Sequence, residues 1–202
     1  YTLTNSGTIN LASNINVSSF VNIGTINLGA NILAYATKWR PEGCSYEQDG
    51  TITATSGYVL IDPNDQPFTG HLGTTPVTRA ILMGIGATSH RTITMDGAGA
   101  VGALSIASSH STNLCTLDLA GHSLTATAIT VGTRGVLTNS GAAAACTTPG
   151  AFTVSGASAV VSGAIALDCG SYVQSDGTAT QVEDITIAVS YTPLRAHETP
   201  EH

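Results

Sequence analysis

Hydrophobic and polar residues alternate along this chain in short bursts, and the bursts repeat. In Thr8-Ile9-Asn10-Leu11, Ile9 and Leu11 fall on one face of an extended strand while Thr8 and Asn10 fall on the other. Aligning residues 4–15 with residues 21–32 gives eight identities in twelve positions at an offset of 17. Stacked in parallel, the copies would place Ile9 over Ile26, Leu11 over Leu28 and Asn10 over Asn27, giving apolar ladders beside hydrogen-bonded Asn ladders. The pattern predicts an all-β parallel β-helix, or β-solenoid. Gly- and Thr-rich alternating strands also build antiparallel β-sandwiches, which stand as the alternative fold.

A longer period follows. Ala128-Ile-Thr-Val131 and Ala151-Phe-Thr-Val154 are 23 residues apart, as are Cys146 and Cys169, and apolar Leu137 matches Val160. Adjacent coils lie about 4.8 Å apart, within the roughly 4.4–6.8 Å Cα separation that a disulfide tolerates. Cys146 and Cys169 are therefore the candidate structural disulfide, with two buried, unlinked thiols in register as the other reading. Cys44 and Cys115 are left as a second pair by default. The four cysteines include no C-x-x-C spacing, which argues against zinc and thioredoxin-like chemistry.

The repeat fails over residues 34–80, which hold the only Trp (Trp39), the only Lys (Lys38), Cys44, and the prolines Pro41, Pro63, Pro67 and Pro76. This stretch reads as an irregular insertion or cap between coils at 1–33 and coils at 81–188. A cap has a clear purpose in a solenoid, because an open end exposes unpaired strand edges and an uncovered core. An irregular loop is also where binding often resides.

Composition sharpens the picture. Gly 22, Ala 26, Ser 19 and Thr 30 together supply nearly half of the 202 residues, and only 9% are charged. That charge content is far below the roughly 25% of an average domain, yet 42% hydrophobic content is too high for a disordered polar chain. Six basic against 13 acidic residues leave no cationic face for nucleic acid. The longest apolar run, near Ala80 to Ala87, is far short of the roughly 20 residues that span a bilayer as a helix. With neither an initiator Met nor a signal-peptide pattern, the chain is expected to start after processing or inside a longer gene.

The last 14 residues are a different text. Residues 189–202 carry three charged residues, two His and two Pro, and they resemble read-through of a transposon-type sequencing adapter. The resemblance implies a gene fragment interrupted near residue 188 and a non-native or disordered tail in which His197 and His202 have no role. A natural polar terminus is the alternative, and the segment is set aside from the fold either way.

The phrases Leu3-Thr-Asn-Ser-Gly7, Asn22-Ile-Gly-Thr-Ile26, Leu117-Asp-Leu-Ala-Gly-His-Ser-Leu124, Ile129-Thr-Val-Gly132 and Leu137-Thr-Asn-Ser-Gly141 resemble the strand repeats of large bacterial surface proteins. Those include filamentous-haemagglutinin-like adhesins and autotransporter passengers. The resemblance covers about two-thirds of residues 1–188 and implies a right-handed β-helix, secreted or displayed at a cell surface. Four cysteines in so short a span depart from many such adhesins.

Candidate chemistry is sparse. Pectin-degrading β-helices need clustered carboxylates, or Ca²⁺ ligands with a basic residue. Here Asp96, Asp118, Asp168, Asp176, Glu183 and Asp184 are scattered, and only the last two adjoin. His90, His110 and His122 lie 20 and 12 residues apart, and they read as polar residues at turns rather than as a shared metal site. Asp62-Pro-Asn-Asp65 reads as turn chemistry, and Asn16-Val17-Ser18 is an isolated glycosylation sequon. Trp39, Tyr35 and Tyr46 read as the core of a cap before a sugar platform. Thr51-Ile-Thr53-Ala-Thr55, Thr92-Ile-Thr94 and Thr125-Ala-Thr127 each put their threonines on one strand face, which resembles the surface of ice-binding solenoids, although no constant period spaces the three segments.

The expected function is a non-catalytic structural or adhesive segment of a secreted or cell-surface β-solenoid. It uses no cofactor and no metal. Its expected partners are surface glycans, other surface ligands or further copies of itself. The rivals are a carbohydrate-active β-helix enzyme and an ice- or glycan-binding module.

Overall fold

The structure, a computed structural model, describes residues 2–17, 19–36, 46–48, 50–53, 58–62, 68–71, 77–84, 91–95 and 97–187. The strands wind coil upon coil. The first coil is β1 (Thr2–Asn5), β2 (Thr8–Asn10) and β3 (Ile15–Val17). The second is β4 (Ser19–Asn22), β5 (Thr25–Asn27) and β6 (Ile32–Ala36), and the third is β7 (Tyr46–Gln48), β8 (Thr51–Thr53) and β9 (Tyr58–Asp62). Coils with two described strands follow: β10 (Phe68–His71) with β11 (Val77–Gly84), β12 (Arg91–Met95) with β13 (Gly99–Ser108), and β14 (Cys115–Asp118) with β15 (Leu124–Val131). Above these, β16 (Gly135–Val154), β17 (Val160–Gln174) and β18 (Thr178–Ile187) each turn a corner within one long strand.

Strands stack as β1-β4-β7-β10-β12-β14-β16 up one face, β3-β6-β9-β11-β13-β15-β16 up a second, and β2-β5-β8 up a third, with β17 and β18 continuing above β16. The pairings are parallel from β1 with β4 at one end to β17 with β18 at the other. This is a β-solenoid, and an antiparallel sandwich is excluded.

Alternation sets the core. Ile9, Ile26 and Ile52 stack in register on the β2-β5-β8 face, and Ile26 and Ile52 are buried. Ile93, Leu117, Leu137 and Val161 form a second buried ladder. Leu104, Ile129 and Phe152 form a third, and Tyr172 stacks on Phe152 with ring centroids 6.0 Å apart. Each buried Ile, Leu or Phe contributes about 1.5–3 kcal/mol relative to exposure, so the ladders dominate the stability.

The 17-residue offset holds: Thr2 lies beside Ser19, Ile9 beside Ile26 and Asn10 beside Asn27. Leu11 and Leu28 repeat the same step, donating backbone N–H groups to Asn27 and Thr53 of the next coil at 2.9 and 2.8 Å. Within residues 34–80, Val59 lies beside Leu33 of one coil and Ala80 of the next, so described strands of that segment belong to the stack. Lys38, Trp39, Cys44, Pro41, Pro63, Pro67 and Pro76 lie outside the described residues, as does 188–202.

The 23-residue offset holds between β15 and β16, where Ile129 meets Phe152 and Thr130 meets Thr153, but it fails one coil later. Between β16 and β17, Leu137 meets Val161, Cys146 meets Leu167, and Cys169 meets Thr148. The cause is a corner. β16 runs from Asn139 to Ala144 where β17 runs only from Gly163 to Ile165, so the register slips by three residues. The Cys146–Cys169 disulfide expected from spacing is therefore not formed, and Cys146 and Cys169 are buried, reduced cysteines. The default pairing of Cys44 with Cys115 falls on Cys44, which lies outside the described residues.

Candidate functional site

The densest polar cluster lies at the corner where Leu117-Asp-Leu-Ala-Gly121 passes beneath Leu137-Thr-Asn-Ser-Gly141. A turn at Ala120-Gly121 reverses the chain, with φ of 50° and 87°, and the His122 N–H closes it onto the Leu119 carbonyl at 2.8 Å. Buried Asp118 accepts through Oδ1 from the backbone N–H groups of Ala120 at 3.0 Å and Ser140 at 2.9 Å, and through Oδ2 from the Ser140 hydroxyl at 2.6 Å. Asn139, also buried, accepts through Oδ1 from Gly121 at 2.7 Å and Gly141 at 3.3 Å. Its Nδ2 donates to the carbonyls of Ala142 at 2.6 Å and Ala164 at 2.8 Å. One side chain thus ties three successive coils. Gly141 is required here because a Cβ would overlap the Ala120 backbone.

The same device stands at the other end of the chain. Asn5 accepts from the Gly7 N–H at 3.1 Å, and its Nδ2 donates to Asn22 Oδ1 at 2.8 Å and to the Thr25 carbonyl at 3.1 Å. Asn5 and Asn22 are buried. Sequence reading missed this role of Asn5, Asn22 and Asn139, although Asn5 and Asn22 align in the 17-residue repeat and the phrase Leu-Thr-Asn-Ser-Gly occurs twice.

The Asn ladder that was expected lies on the outside. Asn27 Nδ2 donates to Asn10 Oδ1 at 2.6 Å, and Thr53 Oγ1 donates to Asn27 Oδ1 at 2.7 Å. Thr8, Thr25 and Thr51 form the neighbouring column in register. The outward-facing residues of these three strands are polar and uncharged.

Other expected features do not converge. His110 caps its own turn, Nδ1 accepting from the N–H groups of Thr112 and Asn113, each at 3.2 Å. His90, Asp96 and the segment 63–65 lie outside the described residues, and so does Ser18 of the sequon. Among the described residues, no group of three His, Cys, Asp or Glu side chains is placed to hold a metal ion. A shallow groove of about 230 Å³ is lined by Thr147, Thr148, Pro149, Asp168, Cys169 and Gly170, with Asp168 its only carboxylate. A second, of about 210 Å³, is lined by Ala103, Leu104, Ser105, Ala128 and Thr130.

The chain matches no protein-family model, no curated protein and no solved structure. Its chemistry must be read from the side chains alone. The Cys146 thiol is a poor nucleophile, because burial, aided by neighbouring Cys169, pushes it up to about 12. Burial and the Asp168 carboxylate likewise raise Cys169. Among the described residues, no helix is long and apolar enough to cross a membrane.

Proposed function

We propose that the chain is a non-catalytic structural and adhesive segment of a β-solenoid that works outside the cell or on its surface. One observation carries this reading: Asp118, Asn139 and Asn5, the buried polar side chains of the corners, bond to neighbouring coils and turns. They brace the stack, and a braced stack with an uncharged outer face at β2-β5-β8 suits a stalk that presents surfaces to glycans. The strand grammar shared with adhesins and autotransporter passengers supports the same reading.

The test is to incubate the chain with immobilised glycans and with soluble polygalacturonate, following retention and new reducing ends or unsaturated products. Retention without product is expected. Product formation that persists through purification would overturn the reading in favour of a carbohydrate-active enzyme.

The β2-β5-β8 face favours a second reading. Its columns Thr8-Thr25-Thr51 and Asn10-Asn27-Thr53 repeat at the strand spacing of about 4.8 Å, a grid suited to an ordered surface such as ice or a crystalline glycan. Thermal hysteresis of a chain solution tests the ice form directly, and its absence removes it.

A further inference from the structure

We propose that Cys146 and Cys169 form a site between coils for a single soft, two-coordinate metal ion of the copper(I) class. β16 and β17 pair with Cys146 beside Leu167 and Thr148 beside Cys169. All four are buried, so the two cysteines form the diagonal of a square of inward positions. One strand spacing of about 4.8 Å and two steps of about 3.3 Å put their Cα atoms about 8 Å apart. A disulfide needs less than about 7 Å, so a direct S–S bond does not span the diagonal. A metal bridge does, because two metal–thiolate bonds of about 2.3 Å in line hold the sulfurs about 4.6 Å apart, against roughly 2.05 Å in a disulfide. The closeness of the two thiols also shows in the part Cys169 plays in raising Cys146. Leu124 lies beside Cys146 on the coil below and Ile187 beside Cys169 on the coil above, so the pair is interior to the stack.

Ligand number decides the ion. Among the described residues, no third His, Cys, Asp or Glu joins the pair, so zinc, which takes four ligands, would be half-coordinated. Thiolates favour soft ions, and copper(I) is content with two of them in line. Thr148 points to the same place independently. Its buried hydroxyl has no hydrogen-bond partner, and its neighbour in register on the next coil is Cys169. A thiolate at Cys169 offers that O–H the acceptor it lacks, and the O–H in turn offsets part of the charge of the complex. On binding, each thiol gives its proton to solvent and forms one S–Cu bond, copper stays at +1, and the bis-thiolate complex carries −1. Thr148 and Cys169 line the groove of about 230 Å³ together with exposed Asp168, a carboxylate that attracts a cation to the entrance. The sequence gives no sign of the site, because its cysteines lack C-x-x-C spacing.

The experiment is an oxygen-free titration of the full chain with copper(I) against a coloured copper(I) chelator, with zinc(II) in parallel. Because the pair is buried, the ion is added both to the native chain and during refolding from urea. Cys146→Ala, Cys169→Ala, Thr148→Val and Cys44→Ser are compared, with circular dichroism and thermal unfolding to establish that each is folded. One copper(I) per chain is expected, with thiolate-to-copper absorption in the ultraviolet and a raised unfolding midpoint. Either alanine variant should weaken binding about a hundredfold or more and Thr148→Val about tenfold, while Cys44→Ser leaves it unchanged. No binding by either route overturns the proposal. So does binding that survives the loss of Cys146 or Cys169, binding that disappears in Cys44→Ser, or zinc(II) held as tightly as copper(I), which would mean a four-ligand site.

Discussion

Asp118 and Ser140, 22 residues apart, are joined twice: the carboxylate takes the Ser140 backbone N–H on one oxygen and the Ser140 hydroxyl on the other. The pair clamps the turn of one coil to the corner above it. Asp118→Ala leaves the Ser140 and Ala120 N–H groups without their acceptor and is expected to cost about 2–3 kcal/mol, against about 1 kcal/mol for Ser140→Ala. A double-mutant cycle by urea denaturation should show a coupling of about 1 kcal/mol. Additive effects would mean that the two side chains act independently.

Asn139 presents an acceptor to two N–H groups and a donor to two carbonyls, so no other side chain replaces it on both sides. Asn139→Asp retains the acceptor but turns an oxygen toward the Ala142 and Ala164 carbonyls. It is expected to destabilise by about 3 kcal/mol at neutral pH, at least as much as Asn139→Ala. Equal stability of Asn139→Asp and the parent would contradict the bonding described.

Buried Cys146 binds its proton more tightly in the folded chain, about 12 against an ordinary value of 9.0. Its contribution to stability is therefore complete below about pH 9 and falls as pH rises from there toward 12. The slope is about −1.4 kcal/mol per pH unit for this thiol. Chemical unfolding at pH 8 and pH 10 should show that loss in the parent, and a shallower one in Cys146→Ala, whatever the variant's offset at pH 8. In the native chain at pH 8, Cys146 and Cys169 should resist a thiol reagent that labels them promptly in urea.

Thr148 is buried with its hydroxyl unpartnered, facing the coil that carries Cys169. Thr148→Val keeps the branched shape on a strand and removes the orphaned group. A gain of about 1 kcal/mol is expected, read as a rise in the unfolding midpoint. A loss would indicate a hydrogen bond made by that hydroxyl in solution.

Much of this architecture is legible in residues 4–32, where short strands and a constant offset let alternation assign Ile9 and Ile26 to the core and Asn10 and Asn27 to the surface. The bracing role of Asn5 and Asn139 is not, because both stand at corners, where two-residue alternation ends and a polar side chain turns inward. Cys146 and Cys169 mislead for a related reason. Equal spacing implies contact only if both coils have corners of the same length, and three extra residues between Asn139 and Ala144 break that condition. Asp118 reads as a lone carboxylate until the turn at Ala120-Gly121 places it beneath Ser140.

That unequal corner has a wider meaning. The height of the rod per coil is set by strand pairing, whereas its girth is set by how many residues each corner holds, and the two vary independently. Insertions at exposed Ala143, beyond the residues that the Asp118 and Asn139 bonds hold, would alter the outline at one level and leave the length of the rod unchanged. The molecule is in effect a scaffold of fixed pitch with adjustable perimeter, on which a new loop could be grafted without shifting the floors above it.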